Sequence, residues 1–359
     1  MEIKDQATKL KVIMIGPLPP PVGGARVLFK ETVDYLSTSE QVTLRMLPLW
    51  SLEGSFLSKA IRGFVVFFSL LFSGSAADLI SLWSSQDGMI LFGPLVVLAG
   101  SFLKKPVVFR MFGVGYDKPI QDLGTIKKSL MNFIFSNADL VLLETELAVD
   151  LLKKEFPRAN ISAHANYRRI PPGAPPLRED CRRFVFLGRV HEVKGIEQIF
   201  QAVEGFDFPG LTVDVYGPLT GRISKDDFDR HQSVSYQGIV DPAEVPVLLE
   251  DYDALLLPSN YRGEGHPGVI LEAYASGLPV IASDIGGIGE IVDESCGILV
   301  RPGNVGDLQK ALEKLVKEPE TYRSLARGVV LKREEYSISR GVERFLDYCR
   351  SVLQAAHQG

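Results

Sequence analysis

Short apolar runs alternate with amphipathic stretches along nearly the whole chain. Lys11–Ile15 reads as a buried strand, leading through the loop Gly16–Gly24 into a helix over Ala25–Leu36. Gln41–Pro48, Met89–Phe92, Pro106–Phe109 and Leu140–Leu143 have the length and content of further strands, and Asp122–Ser136 and Thr145–Lys154 have helical periodicity. After a break, the alternation resumes. Strands are expected at Phe184–Leu187, Thr212–Tyr216, Val234–Gln237, Ala254–Leu257, Pro279–Ala282 and Gly297–Val300. Helices are expected at Gly195–Val203, Ala243–Glu250, Pro267–Ala275 and Val305–Leu315. Strand–helix alternation of this kind predicts parallel sheets covered on both faces, with ligands at the carboxyl ends of the strands. The break is rich in proline: Pro171, Pro172, Pro175 and Pro176 precede a charged run, so 171–183 reads as a linker between two doubly wound domains, 1–170 and 184–335, facing a cleft.

Phe56–Phe72 stands apart. Its apolar centre is too short to span a bilayer, and Lys59 and Arg62 flank it. Two readings stay open: a buried helix of the first domain, or a helix lying in a membrane interface.

Composition narrows the class. With 46% hydrophobic and 23% charged residues, 359 residues can bury full cores, which excludes a disordered chain. The three cysteines, Cys181, Cys296 and Cys349, are scattered, without metal-ligand spacing, so a reducing compartment and no structural zinc are expected. The polar start, Met1–Leu10, is not the start of a secretory signal, and a cytoplasmic location follows as the expectation. The net charge of −5 is uneven: residues 1–175 hold 19 Lys+Arg against 15 Asp+Glu, a balance of +4, leaving −9 for the rest. A basic first half suits an anionic surface or acceptor, or is mere compositional scatter. No basic clusters interleaved with aromatics are present, so nucleic acid is not an expected partner.

Three loops carry candidate chemistry. Ser259–Glu272, SNYRGEGHPGVILE, follows an apolar strand, and Pro267 suits a helix start. The N–H groups near Gly268 and Val269 would then form an anion site, with Gly265 and Gly268 letting a bulky anion approach the backbone. Glu264 precedes the helix and Glu272 lies within it, so the two carboxylates can address different parts of one extended ligand, each accepting from a vicinal diol. In Phe184–Gly195, Arg189 and Lys194 follow a strand end, where two cations can neutralise a diphosphate; a plain charged loop is the alternative. Gly16–Gly24, GPLPPPVGG, lacks the GxGxxG dinucleotide pattern, and Gly23 and Gly24 either admit a phosphate or acceptor close to the backbone or simply form a turn. Asp227-x-Asp229 and Asp251-x-Asp253 formally match DxD metal motifs, but their positions read as structural.

Taken in order, these stretches resemble the large retaining glycosyltransferase family 4 (glycosyl transferases group 1), of GT-B fold. Glu264-x7-Glu272 resembles its E-x7-E signature, and Arg189 and Lys194 its diphosphate-binding pair. Gly23–Gly24 resembles its N-terminal glycine loop. Gly277–Ile281, Gly286–Gly287 and Asn166 resemble flanking elements, and 336–359 the terminal helix that packs back on the first domain. The resemblance implies a nucleotide-diphosphate sugar as donor, held by Glu272 at the ribose and Glu264 at the sugar. It implies leaving-group stabilisation by Arg189 and Lys194, a saccharide or lipid-linked saccharide as acceptor, retention of configuration, and no metal or other cofactor. Gly265, His266, Gly268 and Val269 would complete the donor loop, although His266 and His191 also read as ordinary loop residues. Many relatives carry His-Gly on the acceptor side; here the segment is Arg110-Met111-Phe112-Gly113, leaving Arg110, or backbone around Gly113 and Gly115, as the acceptor-side candidates. That departure keeps two alternatives open: a non-catalytic sugar-nucleotide-binding subunit, and a nucleotide-sugar hydrolase or epimerase of the same fold.

Overall fold

Buried strands that carry apolar side chains on both faces need helices above and below them, and the chain supplies these twice. A computed structural model describes residues 9–21, 23–49, 56–113, 122–173, 175, 178–204 and 208–358, with side chains omitted for 56–60. It divides into two compact units, residues 1–165 with 341–359, and residues 166–340. The stretch 171–183, expected as a linker, falls within the second unit, where Arg178, Arg182 and Arg183 bond Asp253.

In the first unit the elements run β1 (Leu10–Pro17), α1 (Gly24–Ser37), β2 (Val42–Leu49), α2 (Phe56–Ser73), β3 (Leu79–Ser85), α3 (Gln86–Leu103), β4 (Val107–Phe112), α4 (Thr125–Asn137), β5 (Leu140–Leu143), α5 (Glu146–Glu155) and β6 (Ile161–Ala163). Its parallel six-stranded sheet has the order β2-β1-β3-β4-β5-β6. Order reverses between β1 and β3, which places a crevice at the carboxyl ends of those strands.

Met89–Phe92, expected as a strand, lies inside α3. A short apolar run fits a buried helix as well as a buried strand, and the strand of this region is β3, whose serines Ser81 and Ser84 are buried. By length and composition α3 could cross a membrane, yet half of it is buried in the protein, with Phe92, Val96 and Val97 in the core.

The second unit runs β7 (Arg183–Leu187), α6 (Ile196–Val203), β8 (Thr212–Tyr216), α7 (Lys225–Phe228), β9 (Val234–Gly238), α8 (Val245–Leu249), β10 (Ala254–Leu257), α9 (Gly268–Ala275), β11 (Val280–Ser283), α10 (Ile288–Ile291), β12 (Gly297–Val300), α11 (Val305–Lys317) and α12 (Pro319–Glu335). A last helix, α13 (Ile338–Gln358), belongs to the first unit from Gly341 onward. The second sheet, also parallel, has the order β12-β11-β10-β7-β8-β9. Its central strands β7 and β10 are buried throughout except at Arg183, and the order reverses between them. The loops after β7 and β10 are the two that carry the candidate cations and carboxylates.

Candidate functional site

Each residue of the loop after β7 is set by backbone geometry. Gly188, at φ +149, ends the strand, and Arg189 emerges exposed, with no ion pair among the described residues. His191 is a local loop residue: its Nδ1 accepts from the Val193 N–H at 3.2 Å and so caps the short turn Glu192–Lys194. The Asn260 N–H donates to the Val193 carbonyl at 2.7 Å, tying this loop to the one after β10. Lys194 is thereby brought to Glu264, Nζ to Oε1 2.5 Å, with the Tyr261 ring 5.2 Å from the ammonium. Both partners of this pair are largely buried. Breaking such a pair from one side leaves a buried charge uncompensated, at about 3–5 kcal/mol.

Glu264 is fixed from behind as well. The Gly287 N–H donates to its carbonyl at 2.9 Å, and a β-carbon on Gly286, at φ +59, would overlap that same oxygen. The Gly286–Gly287 pair therefore works by clamping the Glu264 backbone.

Pro267 caps α9 through its backbone, with no side-chain cap, so the helix opens with Gly268 and Val269 at its positive end. Expected as an opening for a bulky anion, Gly268 instead faces a guanidinium: a β-carbon there would overlap Nη2 of Arg168. The Arg168 Nε bonds Glu272 Oε1 at 2.9 Å, with Arg168 nearly buried and the Glu272 side chain 24% exposed. His266 is turned inward: its side chain is 4% exposed and its Nε2 lies 3.2 Å from Glu290 Oε2. Its carbonyl accepts from Asn166 Nδ2 at 2.9 Å. Gly265 in the loop and Val269 in the first turn of α9 are half-buried.

Two site features were not readable from the chain. Arg168 is 104 residues from Glu272, and nothing in the run NYRRIPP marks which arginine folds inward. The Gly286–Gly287 pair stands out in the sequence, but its contact with the Glu264 backbone, 22 and 23 residues away in the chain, does not.

In the first unit, the Gly23 carbonyl accepts from Arg26 and Val27 at the start of α1, and a β-carbon on Gly23 or Gly24 would meet nothing within 4 Å. The loop after β1 is thus open at the point where the strand order reverses. Arg110 is not an acceptor-side group. It is 0% exposed, donates to the carbonyls of His164 (2.9 Å) and Ala165 (3.4 Å), and lies over the rings of Trp83 and Phe112. β4 buries both faces, so its central arginine is consumed by the core. Gly113, at φ +60, has open space around it and donates its N–H to Glu144 Oε2 at 2.9 Å. Gly115 lies outside the described residues. Of the aspartate pairs, Asp227 closes a capping box with Ser224 and Asp253 accepts from Arg178 and two backbone N–H groups, so both are structural.

Two Rossmann-like units in one chain are the arrangement of the GT-B fold. Residues 172–329 match the family model described as glycosyl transferases group 1. Over 167 residues, 45% of this chain and 40% of the relative, the chain is 30% identical to glycogen synthase of Mycobacterium tuberculosis. Over 150 residues, 41% of this chain and 39% of the relative, it is 28% identical to the D-rhamnosyltransferase WbpZ of Pseudomonas aeruginosa. It thus spans less than half the length of these two relatives. Among solved structures, sucrose-phosphate synthase from Thermosynechococcus elongatus aligns at TM-score 0.76 and 16% identity, covering 97% of this chain and 100% of that one. HepE of Anabaena, in complex with UDP and glucose, aligns at TM-score 0.71 and 14% identity, covering 95% of this chain and 100% of that one. These likenesses establish the GT-B fold.

Proposed function

We propose that the chain transfers a sugar, with retention, from a nucleotide-diphosphate sugar to a saccharide or lipid-linked saccharide in cell-surface polysaccharide synthesis. The observation that carries this reading is the pair of tied loops at the β7–β10 switch point: exposed Arg189 in the same loop as Lys194, the buried Lys194–Glu264 pair, and α9 beginning four residues after Glu264. As the bond from the anomeric carbon to the diphosphate breaks, negative charge grows on the leaving oxygen. Arg189, Lys194 and the α9 N–H groups stabilise it, an interaction stronger in the transition state than before it. The acceptor hydroxyl attacks the anomeric carbon from the face the diphosphate leaves, and its proton passes to the departing oxygen. Glu272 accepts from ribose hydroxyls and Glu264 contacts the donor sugar. The UDP-bound HepE neighbour supports a nucleotide-sugar donor. Because positive charge comes from the chain's own residues, the reading expects turnover to need no added divalent cation.

The same reading places the protein in the reducing cytoplasm, at the inner face of a membrane. Three free buried cysteines and the apolar stripe on α2 support this location.

The test is donor turnover with wild type, Glu272→Ala, Lys194→Ala and Arg189→Ala, with product analysis in the presence and absence of saccharide acceptors and of a chelator. Each substitution is expected to lower turnover, by about 10²–10³-fold for the cations. The product should be a glycoside of unchanged anomeric configuration. Unchanged turnover in all three variants, or free sugar as the only product with every acceptor, would overturn the assignment.

A further inference from the structure

We infer that Arg168 is a positioning residue that presents Glu272 to the donor ribose and so sets the preference for ribonucleotides over deoxyribonucleotides. The inference rests on the role given to Glu272 above. A carboxylate a turn into a helix and 24% exposed has several rotamers to choose from, and a ribose contact needs one of them. Arg168 removes the choice by holding Oε1 at 2.9 Å, and Oε2, with no partner among the described residues, is left to accept.

Arg168 itself cannot move easily. Its Nη1 donates to the Tyr167 carbonyl at 3.0 Å, and Nη2 is packed against Gly268. Its backbone N–H donates to the Tyr336 carbonyl at 3.0 Å, while its own carbonyl accepts from the Ile338 N–H at 2.8 Å. A planar guanidinium fixed at so many points defines a direction for its partner that a flexible ammonium does not. The pair is also neutral. A bare Glu272 beside a diphosphate would repel it, whereas a paired Glu272 keeps its hydrogen-bonding oxygen without that repulsion. The absence of a side chain at position 268 follows from the same arrangement, because any β-carbon there would displace the guanidinium.

The experiment is calorimetric titration of the full chain with UDP, GDP and ADP, each against its 2′-deoxy form, and with inorganic pyrophosphate. Wild type is compared with Arg168→Leu, Arg168→Lys, Gly268→Ala and Glu272→Ala. Wild type is expected to prefer the ribose form of its nucleotide by about tenfold or more, the value of a hydrogen bond to a charged acceptor. Arg168→Leu and Gly268→Ala should abolish that preference, and Arg168→Lys should reduce it while keeping pyrophosphate affinity. Gly268→Ala alters no charge, so it decides the matter if Arg168→Leu fails to fold. If Glu272→Ala abolishes the preference while Arg168→Leu and Gly268→Ala retain it, the inference about Arg168 is overturned and the role of Glu272 stands. If Glu272→Ala retains the preference, or no nucleoside diphosphate binds, both fall.

Discussion

At Gly195 the backbone is left-handed, φ +82, and the carbonyl of Pro258 occupies the place of a β-carbon. Gly195→Ala should therefore lose about 1–2 kcal/mol for the backbone conformation alone, with the clash added. It should also lower turnover, because Lys194 is the preceding residue and its geometry to Glu264 depends on that approach. Gly24→Ala, with open space at the β-carbon, should stay within about 0.5 kcal/mol of wild type in urea unfolding. Equal losses in the two variants would contradict this account. The same contrast explains what was legible at this scale. Glu264 and Glu272 were readable because a strand end, three glycines and a proline surround them in one short run. Arg110 and Arg168 were not, because a charged residue looks alike in sequence whether it is solvated, laid over Trp83 or locked to a distant carboxylate.

Among elements, α2 has two apolar faces, and periodicity could not say what each meets. Val66 and Leu70 are buried, and the Gly63 face packs on Leu95 and Phe92 of α3. On the opposite face Ile61, Phe64 (57% exposed), Val65, Phe68 (51%) and Phe72 (88%) form a stripe, with Phe102 of α3 also exposed. The buried face fits the core-helix reading of 56–72, and the exposed stripe is what the interfacial reading requires. α2 contains Lys59 and Arg62 and no acidic residue, Lys104 and Lys105 follow Phe102, and Arg45 lines the groove beside Phe64 and Phe68. Exposed aromatic side chains with Arg45 in the same groove and further cations close in sequence suit an anionic lipid surface, where each cation near the surface contributes about 1 kcal/mol. Replacing Phe64, Phe68 and Phe72 together with Ser should release the protein from phosphatidylcholine–phosphatidylglycerol vesicles in flotation, with circular dichroism unchanged. Phe67 is left in place because it packs on the core. Persistent binding by the folded triple variant would refute the lipid contact. The strand β3 was hidden for a related reason: its buried serines break the apolar run that marks the other strands.

Across the whole molecule, strand–helix alternation was enough to imply two parallel sheets, since only helices can cover strands that are apolar on both faces. It could not reveal which residues each unit buries at its margins, and His164 is such a residue. It lies just after β6, 1% exposed, stacked on Phe345 and edge-on to Tyr348 of α13. Burial, and then the charges of Arg110 and Arg344, push its pKa well below the usual range. In the unfolded chain the same imidazole takes up a proton as pH falls below about 6.5, while the folded form resists it. The unfolded state then binds more protons than the native one. The stability linked to His164 is complete above that pH and is lost as pH falls, at up to about 1.4 kcal/mol per pH unit. Both tryptophans of the chain, Trp50 and Trp83, fall within residues 1–165, and Trp83 packs edge-on to the same Phe345, so intrinsic fluorescence reports the unit that holds His164. The urea midpoint followed by fluorescence should drop between pH 7 and about pH 5.5, and drop less in His164→Gln. The other four histidines are common to both proteins, so the difference between the two slopes belongs to His164; equal slopes would mean that its burial carries no pH dependence.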